Sequence, residues 1–155
     1  MDKGFSSTAA ALVVMVYSFV GAIGAILGGY IADKITARKT MVISFLVMSV
    51  GPLLLLNTDS LSFAMIYAVV YGLFFGSSFA LSQAIYADYF GRTSLGVIRG
   101  SFQPVQLILN AAGPFFTGLW VDYFGSYTVP FFIFSGCMLL AAFLLLIATY
   151  PQQRV

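Results

Sequence analysis

Residues 7–32 read STAAALVVMVYSFVGAIGAILGGYIA and contain no charged side chain. A membrane span needs about 20 mostly apolar residues to cross roughly 30 Å of hydrocarbon, so this run is long enough for a transmembrane helix. A cleavable signal peptide is a poorer interpretation, because its apolar core is only about 7–15 residues long. The stretch therefore predicts an integral membrane protein.

Four further apolar runs follow, and short polar segments separate them. We predict an all-α integral membrane fold in which five transmembrane helices form one domain over residues 1–155. Because the connections are short, we expect sequential helices to pack as antiparallel neighbours. The predicted helices cover residues 7–32, 40–56, 61–87, 95–121 and 129–150.

The composition excludes most soluble classes of protein. Charged residues make up 8% of the chain and hydrophobic residues 61%, against about 25% and roughly 45–50% in ordinary globular chains. With no histidine and one cysteine, we expect no metal site, disulfide framework or cofactor. A net charge of +2 gives no basic surface for nucleic acid. No nucleophile–base pair indicates an enzyme.

The basic residues predict the orientation in the membrane. If the segment after the first helix is cytoplasmic, that side holds six of the seven Lys and Arg residues, and the other side holds only Lys3. Cytoplasmic loops carry the excess of Lys and Arg, so we expect the N-terminus outside and the C-terminus in the cytoplasm. The six residues are Lys34, Arg38, Lys39, Arg92, Arg99 and Arg154.

The fourth helix has a polar face, because its polar and small residues recur every three or four positions. Such a stripe fits either hydrogen bonds between helices or a water-filled cavity. Pro104 and Pro114 interrupt the same helix, which favours the cavity, since Gly/Pro-interrupted spans mark transporter binding sites. The predicted cavity residues are Gln103, Gln106 and Asn110, with Tyr71, Ser78 and Ser82 from a weaker stripe on the third helix.

The first helix has a face of small residues instead. Tyr17, Gly21, Gly24 and Gly28 are spaced by 4, 3 and 4 residues. Small residues at helical spacing let two membrane helices approach closely, so we predict close helix packing here and at residues 72–76.

A short pattern, G-x-x-x-D, closes both the first and the fourth helix, at residues 29–33 and 118–122. The two copies lie three helices apart and on opposite sides of the predicted membrane. A three-helix unit repeated with inverted topology would produce this relation, and such repeats are common in secondary transporters.

Residues 29–39, GYIADKITARK, resemble the signature loop of the major facilitator superfamily, which has a glycine, an Asp followed by a basic residue, and then an Arg/Lys pair. Thr36 stands where the family usually has glycine, and Ala37 where a basic residue is common. Residues 87–100 and 118–127 are similar to the last helices of the monocarboxylate porter and oxalate/formate antiporter-like branch. The helix-end residues of this second similarity are Asp88, Gly91, Arg92, Arg99, Gly118, Asp122 and Gly125.

The resemblance covers essentially the whole chain. It implies that the five helices correspond to the eighth to twelfth of a twelve-helix transporter, which is a partial C-terminal half-bundle. The first, third and fourth helices would line the path, and the second and fifth would be peripheral. In the family the signature loop latches the cytoplasmic side, although charged loops also fit plain topology. The gating residues implied here are Gly29, Asp33, Lys34, Arg38 and Lys39.

The function that the resemblance implies is secondary-active transport of a small solute by alternating access, in the plasma (inner) membrane. Its partners would be the lipid bilayer, the solute with a coupling ion, and the missing N-terminal helices. An organic anion such as a monocarboxylate suits the branch, but no Lys or Arg lies in the middle of a helix, so neutral solutes stay open. Arg99 lies near the cytoplasmic mouth, where it can snorkel. The alternative is a non-transporting membrane fragment or a small helical assembly partner, because one half cannot rock against an absent one.

Overall fold

The computed structural model describes residues 6–56, 60–91 and 95–148, and the regular structure in these ranges is helical. The all-α architecture and the five predicted helices are confirmed. Three helices continue two or three residues past the predicted ends, because helical hydrogen bonding does not stop at the first charged residue. Helix α2 begins three residues before its predicted start, and α5 ends at Ile147 rather than at residue 150, since the backbone of Ala148 leaves the helical conformation. The helices are α1 (Ser7–Lys34), α2 (Ala37–Leu56), α3 (Leu61–Phe90), α4 (Leu95–Phe124) and α5 (Thr128–Ile147).

Four of the described helices, α1, α2, α3 and α5, are long and apolar enough to cross a membrane. Helix α4 has 30 residues, but it is not among these four. Its glutamines, asparagine and two internal prolines lower its hydropathy. A fifth span at α4 therefore stays a prediction, as does the orientation of the termini.

The closest approach in the fold is between α1 and α3. A methyl group added at Gly24 would lie 2.0 Å from the carbonyl oxygen of Leu73, and one at Gly76 would lie 1.8 Å from the carbonyl oxygen of Gly21. A side chain cannot occupy such positions, so the two backbones touch only because glycine is present. The predicted small-residue packing of the first helix is confirmed.

Helix α2 packs between α3 and α5, and its contact with α1 is slight. The Ser78 hydroxyl of α3 lies 3.4 Å from the sulfur of Met48, and the Ser135 hydroxyl of α5 donates to the carbonyl of Ser49. Of the sequential pairs only α2 and α3 pack closely, whereas α1–α2, α3–α4 and α4–α5 contact each other slightly. The prediction that sequential helices pack as neighbours is therefore confirmed only in part. Glycine contact draws α1 to α3, and buried hydroxyls join α2 to its two neighbours.

The contacts fix the helix directions. Residue numbers rise together along the α1–α3 contact, so these two helices are parallel. Along the α2–α5 contact they run in opposite directions, because Arg38 meets Leu145 and Ser49 meets Ser135. Helix α2 is antiparallel to α3 as well, since Met48 meets Ser78 and Gly51 meets Tyr71. Helices α1, α3 and α5 thus run in one direction, and α2 and α4 in the other. The signature loop, the end of α3 and the beginning of α4 lie at the same end of the bundle.

Helix α4 stands apart from the other helices. Within the described ranges it contacts only α3 and α5, and only slightly, and none of its residues is buried. Both its polar and its apolar faces are therefore accessible.

Two helices end in the same four residues, DYFG, at positions 88–91 and 122–125. Gly91 has φ 78° and Gly125 has φ 65°, a left-handed conformation that favours glycine. Their backbone N–H groups donate to the carbonyls of Ala87 and Val121, at 3.0 and 2.8 Å. Each glycine is a C-terminal helix stop.

Gly76→Ala is expected to destabilise the protein, because the new methyl would overlap the Gly21 carbonyl and push α1 away from α3. Overpacking of this kind costs about 1–3 kcal/mol. Gly136→Ala on α5 is the matched control, since a methyl there meets nothing within 4 Å. Thermal unfolding in detergent should give a lower Tm for Gly76→Ala only. Equal Tm values for the two variants would contradict the α1–α3 contact.

Candidate functional site

A cleft of about 220 Å³ lies between α3 and α4. Four of the six predicted cavity residues line it, namely Ser82 of α3 with Gln103, Gln106 and Asn110 of α4. The structure therefore brings the amide face of α4 opposite a polar part of α3. The other lining residues are Phe79, Gln83, Tyr86, Arg99, Phe102 and Leu107.

The two walls of the cleft run antiparallel. The rings of Tyr86 and Phe102 stack across it with centroids 6.4 Å apart and an interplanar angle of 13°. Because the helices are antiparallel, Ser82, one turn before Tyr86, is level with Gln106, one turn after Phe102. With a rise of 1.5 Å per residue, the stripe from Arg99 to Asn110 extends about 16 Å along α4. The cleft thus has a cationic end beside the signature-loop end of the bundle and amides further in.

Tyr71 and Ser78, which the sequence placed with the cavity residues, pack against α1 and α2 instead. The Tyr71 ring stacks on Tyr17 and Tyr67 with centroids 6.2 and 5.1 Å apart, and it fills the space that a side chain at Gly51 would need. Ser78 is buried against α2, with its hydroxyl 2.7 Å from the carbonyl of Phe74. The structure does not bring these two residues to the cleft.

Height along α3 explains this division better than rotation. Around the helix axis Ser82 lies only about 20° from Tyr71 and about 40° from Ser78, but Tyr71 precedes it by 11 residues, or about 16 Å along the helix. Ser82 lines cavities on both the α2 side and the α4 side of α3.

The predicted cavity residues did not include Gln83 and Tyr86, which also line the cleft. Gln83 stands beside Ser82 in the sequence, and Tyr86 follows one turn later. These three polar residues, 82, 83 and 86, cluster within about one helical turn, and that cluster could have indicated the cleft. The predicted stripe instead followed every third or fourth residue back to Tyr71, and it therefore missed residues 83 and 86.

The signature loop lies at the same end of the bundle as Arg99. Asp33 and Asp88 line one cavity of about 350 Å³, and small residues such as Ala84 and Ala87 make its walls. Lys34 Nζ lies 4.5 Å from the centroid of the Tyr30 ring. The cavity therefore joins an acidic residue of the signature loop to one of the helix-end residues.

Arg38 of the same loop points to α5 instead. Its Nε donates to the carbonyl of Leu145 at 2.8 Å, and its Nη2 donates to the carbonyl of Leu146. The Tyr89 hydroxyl donates to a carbonyl just beyond them, that of Ala148, at 3.3 Å. The last carbonyls of a helix have no intrahelical partners and carry a partial negative charge. Arg38 therefore caps the end of α5.

The remaining predicted residues are spread over the molecule. Gly29 and Lys39 lie at the signature-loop end, where the Lys39 side chain is exposed. Gly118 and Asp122 lie on the last turns of α4, at the opposite end of the bundle. Arg92 lies outside the described residues.

Together the fold and the cleft define a multi-pass helical membrane protein with a polar cleft beside α4. That helix is continuous over its 30 residues, so the predicted interruption at Pro104 and Pro114 is wrong. A family model described as Major Facilitator Superfamily matches residues 2–155. The chain therefore belongs to this superfamily, and the predicted family is confirmed. Comparison with curated proteins found no match. The superfamily is one of membrane transporters of small solutes rather than of enzymes.

Arg38→Gln is expected to lower stability, because the end of α5 would lose its charged cap. Hydrogen bonds to a charged group contribute about 1.5–3 kcal/mol. Lys39→Gln is the matched control, since it removes a positive charge at the adjacent position. Thermal unfolding in detergent should separate the two variants. A Tm for Arg38→Gln as high as that of Lys39→Gln would contradict the capping role.

Proposed function

We propose that the chain is part of a secondary-active transporter that moves a small solute by alternating access, and that the α3–α4 cleft is a stretch of its path. The observation that supports this most directly is the common placement of Gln103, Gln106 and Asn110 along one cleft wall. Amides that face hydrocarbon without partners cost several kcal/mol, about 4–8 on a water-to-cyclohexane scale. A water-filled path would remove that cost.

Hydrogen bonds between helices are the competing explanation for these amides. In residues 6–56, 60–91 and 95–148, none of the three amides has a protein hydrogen-bond partner. All three side chains are exposed. This arrangement supports solvation of the amides by water or solute over a purely structural role.

The proposal also includes the place of the chain in the transporter. By the family resemblance, the domain of residues 1–155 supplies helices eight to twelve, with α4 as a fifth span, the N-terminus outside and the C-terminus in the cytoplasm of the plasma (inner) membrane. The described helix directions are compatible with this, since Lys34, Arg38, Lys39 and Arg99 lie at one end of the bundle. The N-terminal helices of the same transporter would form the facing wall of the path.

The solute is proposed from the branch that the chain resembles, that of monocarboxylate porters and oxalate/formate antiporters. A small organic anion such as a monocarboxylate, moved with a coupling ion, is the solute class of that branch. The predicted site residues Tyr71 and Ser78 would then support the position of α3, since they pack against α1 and α2.

We further propose that the signature loop helps set the gating equilibrium. Asp33 lines the cavity beside Asp88 and, unlike Arg38, has no partner on another helix of the described chain. Its carboxylate is therefore available for contact with the other half of the transporter. Gly29, Lys34 and Lys39 lie around it.

Cysteine substitution along α4 tests the path. In a Cys137→Ser background, Gln103→Cys, Gln106→Cys and Asn110→Cys should react with a water-soluble thiol reagent at least about tenfold faster than Val105→Cys and Ile108→Cys. Only the thiolate reacts, and it does not form in lipid. Val105 and Ile108 are exposed but do not line the cleft, so they are the matched controls. Equal reaction rates at the two sets of positions would contradict a water-filled cavity along the amide face.

Asp33→Asn tests the gating role, with uptake of a solute that the wild-type protein transports as the measurement. Loss of an ion pair near the surface changes an equilibrium by up to about 1 kcal/mol. We therefore expect an uptake rate changed up to about fivefold, with an unchanged Tm. Uptake kinetics identical to those of the wild type would show that the Asp33 charge has no part in gating.

A further inference from the structure

We infer that the α3–α4 cleft selects a small amphiphilic anion and that Arg99 contacts its negatively charged group. This inference rests on the proposed function, because it requires the cleft to lie on the solute path. It concerns one property of that path, the sign of the charge that it accepts.

Arg99 is the charged side chain among the described residues that line the cleft. It occupies the same α4 stripe as Gln103, Gln106 and Asn110, at the end nearest the signature loop. The cleft thus combines a single positive charge with neutral amides, and its local charge favours an anion.

The Arg99 guanidinium is not committed to another group. Asp88 is near it along the chain but lines the separate cavity with Asp33, and no ion pair to Arg99 is found in the described ranges. Two other described cations at this end differ, since Arg38 caps α5 and Lys34 lies over Tyr30. A planar guanidinium matches the two oxygens of a carboxylate.

The cleft also offers an apolar surface for the body of the solute. Phe79, Phe102 and Leu107 line it, and Phe102 stacks with Tyr86. These side chains lie beside the amides, which suits a solute with a hydrocarbon or aromatic body.

The test measures the charge selectivity of the cleft without a known solute. A thiol introduced in place of Gln103 lies one turn, about 6 Å, from Arg99. In the protein with Gln103→Cys and Cys137→Ser, we compare the reaction rates of an anionic sulfonatoethyl and a cationic trimethylammonioethyl methanethiosulfonate reagent. Any effect of Arg99 on ionisation of the thiol applies to both reagents and cancels in the ratio of the rates.

We expect Arg99→Gln to lower the anionic-to-cationic rate ratio about tenfold, from the loss of one unit charge at this distance in a largely aqueous site. Arg99→Lys should keep most of the ratio, and Ser101→Ala, a neighbouring change outside the cleft, should keep all of it. With Arg99 in place, the ratio should also fall as salt rises, because salt screens the charge.

Three results would overturn the inference. In the first, the introduced thiol still reacts, but neither Arg99→Gln nor salt changes the rate ratio. That result would contradict anion selection by Arg99 without contradicting the proposed path. A loss in Arg99→Lys as large as in Arg99→Gln would show that positive charge is not the cause. No reaction of the introduced thiol with either reagent would overturn both the anion selection and the proposed path.

Discussion

The contact between the backbones of α1 and α3 is the constraint on which the rest of the structure depends. In lipid, no hydrophobic effect draws helices together, so association relies on close packing and hydrogen bonds. Gly24 and Gly76 permit that approach, with no space for even one methyl group. Helix α3 is held on this side by α1 and on another by α2, which leaves its Ser82–Tyr86 turn directed towards α4.

Helix α4 is subject to the opposite constraint. Its amides and prolines make it a poor helix for lipid, and the other helices bury none of its residues. Polar side chains at the depth of the membrane are stable where they line a water-filled cavity. The same sequence property therefore explains both why α4 lacks the apolarity of the other four helices and why we propose it as one wall of a transport path.

Sequence periodicity predicted what depends on one helix alone. The five helices, the glycine face of α1 and the amide face of α4 follow from spacing, and the signature loop indicated the family. Spacing did not reveal contacts between distant elements. The Arg38 cap on α5 joins residues 107 positions apart, and nothing local distinguishes Arg38 from Lys39. Spacing also grouped Tyr71 and Ser78 with the cleft residues, but in the structure they pack against α1 and α2, because a stripe along one helix does not show which neighbouring helix each turn meets.

The surroundings of α4 in a bilayer provide the most direct test of a water-lined path. Spin labels placed singly at positions 102–112 report collisions with oxygen, which is enriched in lipid, and with a water-soluble nickel chelate. If the amide face borders water, nickel accessibility should vary with a period of about 3.6 residues and be highest at 103, 106 and 110, with oxygen accessibility out of phase. High oxygen accessibility around the whole helix, with no nickel maximum, would contradict the water-lined path.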